Sequence, residues 1–304
     1  MQISRIVIIL LTCGLVSCSS ANSATLPNNT QSKSDSKSKL AQANLKDVDE
    51  YFNRANKRLE KGDLQGAIND LNQVIKINPK LVSAYYNRAV ARGQLQDNQG
   101  AIADFNKVIQ INPNDSEAYY NRGVIHAQLR NYQKAIADYT KVIQINPQNI
   151  KAYNNRGTIR LGLKDNQGAI ADFNKVIQIN PNIYIAYYNR GTARARLKNN
   201  QAAINDFTKA IQINPNYAQA YYNRGVARRQ LKNWQAAIID FNKVIQINPN
   251  YADAFGNRGI ARGFSGDKEG GITDLKTAIS LYEKQGKIAE AQKLVELIKI
   301  VKSR

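Results

Sequence analysis

The sequence predicts an all-α solenoid: seven helix-turn-helix units followed by a C-terminal helix. Three observations predict it. Ala-Tyr-Tyr-Asn-Arg-Gly or a variant returns every 34 residues, at Ala84–Ala89, Ala118–Gly123, Ala152–Gly157, Ala186–Gly191, Ala220–Gly225 and Ala254–Gly259, with a worn copy at Glu50–Ala55. A fixed period of this length marks stacked supersecondary units rather than a core closing on itself. Within each unit, small and apolar residues recur at helical spacing in two separate stretches. Asn-Pro then closes most units, and a proline disfavours helical geometry in the residue before it.

Along the chain, the first element is separate from the repeats. Met1–Arg5 is positively charged, Ile6–Leu15 is apolar, and Leu15-Val16-Ser17-Cys18 follows. Ten apolar residues fall short of the roughly 20 that cross a bilayer, so residues 1–17 read as a secretory signal. Leu-Val-Ser-Cys is similar to the bacterial lipoprotein box. That resemblance implies cleavage before Cys18 and acylation of Cys18, with several chains giving stable anchoring. Cys13 would leave with the signal, so the mature chain would hold no disulfide. Residues 18–46 comprise the lipidated cysteine and a tether rich in Ser, Asn, Lys, Gln and Ala. Such a composition buries too little apolar surface to fold, and gives a flexible reach of roughly 30 Å. The expected location is the extracytoplasmic side of a bacterial envelope membrane. Ser19, in place of an aspartate that marks inner-membrane retention in some systems, favours the outer one.

The repeats occupy residues 47–285. Numbering each unit from Val48, Val82, Ser116, Ile150, Tyr184, Ala218 or Ala252, position 4 is aromatic, position 8 Gly or Ala, position 20 Ala or Gly, and position 24 aromatic or Leu. Positions 4, 8 and 11 share one helical face and positions 20, 24, 27 and 28 another. The small residues at 8 and 20 let the two helices approach. This pattern resembles the tetratricopeptide repeat family. The resemblance implies a right-handed superhelix, with positions 2, 5, 6, 9, 12 and 13 lining an inner groove. The chain departs from the commonest pattern in carrying arginine at position 7 and mostly arginine at position 11. Residues 286–304 close the array: Ile288, Ala291, Leu294, Val295, Ile298 and Val301 have helical spacing, as a capping helix requires.

Arginine at position 7 includes Arg88, Arg122, Arg156, Arg190 and Arg224, and position 23 includes Asp104, Asp138, Asp172, Asp206 and Asp240. Buried charge is costly unless paired, and the planar guanidinium suits a carboxylate. Because aspartate recurs in step with arginine, these residues read as a ladder of ion pairs between helices; an anion-binding stripe is the alternative. His126, the only histidine, takes the place of an arginine at position 11.

Positions 5 and 6 carry Tyr86, Tyr120, Tyr188 and Tyr222 beside Asn87, Asn121, Asn155, Asn189 and Asn223. By the family resemblance they line a peptide-binding groove. Tyrosine supplies rigid apolar area with a hydroxyl, and asparagine both donates to and accepts from a peptide backbone. The competing reading packs these tyrosines between repeats and bonds the asparagines to the scaffold.

The formal charge is +20, and lysines at position 26 (Lys107, Lys141, Lys175, Lys209, Lys243) add to the surplus. A basic surface attracts acidic proteins, anionic lipid or anionic polymers, and secretion makes nucleic acid the least favoured. With one histidine, no metal-ligand cluster, no phosphate-cradling loop and no nucleophile elbow, no catalytic residue, metal or cofactor is expected. The expected function is a membrane-anchored scaffold that binds proteins or extended acidic peptides and organises an envelope complex. The second expectation is a basic module for anionic lipid or envelope polysaccharide.

Overall fold

The computed structural model describes residues 34–303. The signal segment, Cys18 and the tether up to residue 33 lie outside the described residues. The described residues form fifteen α-helices and divide into two compact units after Asp138. The first unit contains α1 (Ser34–Glu60), α2 (Leu64–Ile77), α3 (Val82–Gln94), α4 (Asn98–Ile111), α5 (Ser116–Gln128) and the start of α6 (Tyr132–Ile145). The second contains the rest of α6, then α7 (Ile150–Gly162), α8 (Asn166–Ile179), α9 (Tyr184–Arg196), α10 (Asn200–Ile213), α11 (Ala218–Gln230), α12 (Trp234–Ile247), α13 (Ala252–Ser265), α14 (Lys268–Lys284) and α15 (Ile288–Ser303). In the first unit α2 packs between α1 and α3, and α4 between α3 and α5; in the second, each helix from α7 to α14 packs on the next in sequence. The architecture is all-α, a stack of tetratricopeptide-type hairpins.

Six helix starts, from Val82 to Ala252, coincide with position 1 of their repeats. The exception is α1, which begins at Ser34 and so is helical through the end of the segment expected to be a flexible tether.

Local chemistry fixes the helix ends. Asp63, Asp97, Asp165 and Asp267 cap the second helices by accepting from the backbone N–H of Gly66, Gly100, Gly168 and Gly270. The asparagine before each proline ends those helices, and its side chain accepts from the N–H two residues on, as at Asn180 and Asn182 (2.9 Å). The tight turn at position 15 requires left-handed backbone. Gly62 and Gly266 supply it in the outermost repeats, but Gln96, Arg130, Lys164, Lys198 and Lys232 adopt φ between 59° and 67° in the others. A side chain there costs about 1–2 kcal/mol relative to the right-handed region.

Helices α3, α9, α11 and α13 each lie between two even-numbered helices and so bury two faces. Ala84, Ala118, Ala152, Ala186, Ala220 and Ala254, at position 3, are fully buried, as are Phe173, Phe207 and Phe241 from the neighbouring helices. A Cβ at Gly191 would stand 2.8 Å from the Phe207 ring, and one at Gly259 would stand 2.8 Å from the Gly271 carbonyl oxygen. Backbone thus meets backbone between α13 and α14. At the end of the second unit, Ala291 and Leu294 of α15 cover Leu275, Ala278 and Tyr282. Ile288 and Val295, expected on that buried face, are exposed, because only one side of α15 meets the array.

Candidate functional site

The position-7 arginines are engaged on three sides. In the first unit Arg88 donates through Nε and Nη2 to Asp104 (2.9 and 2.6 Å) and Arg122 likewise to Asp138 (3.0 and 2.6 Å). The second unit repeats the fork at Arg156 with Asp172, Arg190 with Asp206, and Arg224 with Asp240. The remaining Nη1 reaches back to the preceding repeat. Arg88 meets Asn72, Arg122 meets Asn106, Arg156 meets Thr140, Arg190 meets Asn174 and Arg224 meets Thr208, at 2.5–3.0 Å. Each guanidinium also lies over the aromatic ring at position 4, as Arg190 does over Tyr187 at 5.5 Å. One arginine therefore joins three helices, and its donors are directed into the scaffold rather than toward an external anion. The position-25 partners went unseen in the sequence, although Asn or Thr stands there in six of the seven repeats.

Position-11 arginines complete the carboxylate. Arg92, Arg160, Arg194, Arg228 and Arg262 donate Nη1 to Oδ2 of Asp104, Asp172, Asp206, Asp240 and Asp274 at 2.7–3.0 Å.

The tyrosine and asparagine ladders are bonded to one another between repeats. Asn121 Nδ2 donates to the Tyr86 hydroxyl (2.9 Å), Asn223 to Tyr188 and Asn257 to Tyr222 (both 3.1 Å). Asn87 donates to Asn56 (2.9 Å) and Asn155 to Tyr139 (3.5 Å). Tyr120 and Asn189 are half-buried on α5 and α9. Asn154 stands where repeat four would have its tyrosine, and its side-chain oxygen is buried without a hydrogen-bond partner. These side chains thus serve inter-repeat packing first, with their edges on the odd-helix face.

That face is most developed in the second unit. Tyr217 packs edge-on against both Tyr184 (5.1 Å between centroids) and Tyr188 (5.0 Å), and Tyr251 leans on Tyr222 (5.2 Å). Tyr217 and Tyr251 occupy position 34, where other repeats have Leu, Asp, Asn, Ile or Gln, so periodicity alone did not single them out. Burial raises the pKa values of Tyr188, Tyr217 and Tyr222, and pushes that of Tyr251 up to about 12, helped by the Asp253 carboxylate. These phenols stay protonated at neutral pH and act as neutral hydrogen-bonding groups.

Beside this cluster a cleft of about 220 Å³ opens between α9 and α11. Ala195 and Val226 form its apolar floor, backed by the fully buried Phe207, and Thr192, Arg196, Asn223 and Gln230 its walls. Arg196 donates to the Leu161 carbonyl of the preceding odd helix, which holds its charge at the cleft. Apolar floor, amide, hydroxyl and cation together suit an extended chain with acidic side chains. Among the described residues no cluster of three or more His, Cys, Asp or Glu is placed to hold a metal, and no helix is long and apolar enough to cross a membrane.

The tetratricopeptide repeat family model matches residues 116–149, 150–183, 184–217 and 218–251, and a second TPR repeat model matches 55–96 and 92–129. No curated protein matches the chain. Among solved structures, MamA is 27% identical, with a TM-score of 0.54, covering 57% of this chain and 94% of MamA. YrrB, described as a TPR protein with an unusual peptide-binding site, is 23% identical with a TM-score of 0.55 over 62% of this chain and 97% of its own. The C-terminal part of a TPR repeat-containing protein from Cytophaga hutchinsonii is 19% identical, with a TM-score of 0.66 over 79% of this chain and 98% of that one. The last two likenesses concern the fold.

Proposed function

Because the chain belongs to the tetratricopeptide repeat family, we propose that it is a non-catalytic scaffold that binds acidic, extended segments of other proteins at the odd-helix face of its second unit. The observation that carries this reading is the cleft between α9 and α11, where Arg196 stands over an apolar floor beside the tyrosine cluster. Rigid aromatic and arginine groups are the side chains that most often dominate binding energy at interfaces. Anchoring through an acylated Cys18 would hold this face near an envelope membrane and let it gather components of one complex. The YrrB description is compatible with binding of this kind but concerns that protein.

An acidic peptide pool titrated against the wild-type chain and Val226→Arg tests the site. Binding lost in the variant, with an unchanged melting temperature, supports it. Equal binding by both would remove the cleft from the account.

A second reading, adhesion of the basic exterior to anionic lipid or polysaccharide, draws support from position 26. There Lys107, Lys175 and Lys243 donate to neutral Gln110, Gln178 and Gln246 and keep their charge at the surface. That mode falls steeply with salt and ignores Val226.

A further inference from the structure

The third repeat breaks the arginine pattern at one point, in the first unit. In the other six repeats a position-11 guanidinium donates to the aspartate, as Arg58 does to Asp70 (2.8 Å) and Arg92 to Asp104 (2.7 Å). The same Nη1 reaches the carbonyl oxygen at position 19, at 2.9 Å from Arg58 to Gly66 and 3.4 Å from Arg92 to Gly100. His126 replaces that arginine, and Lys134 replaces the Gly or Ala of position 19. The imidazole is shorter than an arginine side chain, and a cavity of about 320 Å³ lies beside it, lined by Ile102, Asn106, Arg122, His126, Lys134 and Asp138.

His126 is only 7% exposed, and its Nδ1 is buried with no hydrogen-bond partner. Asp138 is 5% exposed and receives its two bonds from Arg122 alone, where its counterparts receive a third. The cavity thus offers a carboxylate edge beside a buried imidazole in the place that a guanidinium fills in six sister repeats. Arg122 is already committed to Asp138 and Asn106, so the charge left facing the cavity is the exposed ammonium of Lys134.

We propose that this cavity is a guanidinium-binding site that takes an arginine side chain, free or displayed by a partner, in the position occupied internally elsewhere. Burial holds the His126 pKa below its ordinary value, so near neutral pH the imidazole is uncharged and does not oppose the incoming cation. The site shares no residue with the α9–α11 cleft and does not depend on it.

The single histidine gives one Cε1–H imidazole signal, so binding can be read at one resonance of the full chain. The probes are agmatine, capped Gly-Arg-Gly, butylamine and acetate. The expected result is a saturable shift with agmatine at concentrations on the order of 1 mM, as a ligand of this size allows. Lys134→Ala should tighten agmatine binding about threefold by removing a like charge. In His126→Arg, which fills the cavity from within, agmatine should no longer raise the melting temperature. Saturation by the capped peptide assigns the site to a partner's arginine, and saturation by agmatine alone to a free guanidino compound; both support the guanidinium chemistry. No saturable shift with either, or a shift by acetate that Lys134→Ala weakens, would overturn it.

Discussion

His126→Arg should stabilise the protein, and only while Asp138 is present. In the sister repeats the added guanidinium lies 2.7–3.0 Å from the aspartate oxygen, on arginines whose side chains are 23–28% exposed outside the first repeat. A hydrogen bond to a charged group contributes about 1.5–3 kcal/mol net. Ordering the longer side chain costs up to about 1.5–2 kcal/mol. A gain of about 0.5–1 kcal/mol remains, which raises the melting temperature by about 1–4 °C in a chain of this size. Asp138→Ala alone leaves Arg122, 19% exposed, without its carboxylate, and should cost about 3–5 kcal/mol. In that background His126→Arg adds a second unpaired cation and should stabilise nothing. Urea unfolding of the four proteins reads the coupling directly. An equal gain in both backgrounds would refute the argument, because the benefit would then come from helix propensity or cavity filling rather than from the carboxylate.

Lys164→Gly relieves a left-handed residue at φ 67° and should stabilise by about 1 kcal/mol, measured by the same unfolding assay. Gly259→Ala drives a methyl group into the Gly271 carbonyl and should destabilise by about 1–3 kcal/mol, since backbone cannot yield as a side chain can. Acidification should weaken the native state through His126. Its folded pKa lies below the unfolded value of about 6.5, so its contribution is complete above that pH and is lost as pH falls through the folded pKa. Melting temperatures from pH 7.5 to 5 should therefore drop further in wild type than in His126→Gln.

The repeat period, the helix pairs and their ends were legible in the sequence because the 34-residue register fixes them: α3, α5, α7, α9, α11 and α13 begin at position 1. The arginine–aspartate pairing was legible for a related reason, since two charges recurring in step on facing helices have few other partners. Patterning on a single face did not reveal that inner odd helices such as α3, α9, α11 and α13 are buried on two sides. Hence position 3, alanine in six repeats and too small to stand out as a core residue, was passed over, although it is fully buried from Ala84 to Ala254. The same blindness hid the contact of Arg190 with Asn174, which lies in the preceding repeat. Tyr188 and Asn223 were read as a groove lining with inter-repeat packing as the rival; their mutual hydrogen bond gives them a packing role, and the cleft beside them draws on Thr192, Arg196 and Val226. The left-handed turn at Lys164 had no signal at all, because lysine does not advertise positive φ as glycine does. The helix start at Ser34 ran against a composition that reads as a tether.

The central claim is that proteins dock on the odd-helix face of the second unit. A photo-crosslinking residue at Val226, inside the cleft, compared in intact cells with one at Lys243 on α12, tests it most directly. The account predicts a discrete protein adduct from position 226 that Arg196→Glu abolishes and that position 243 does not give. Adducts from position 243 alone, or lipid and polymer adducts from both, would contradict it and transfer the binding to the basic exterior.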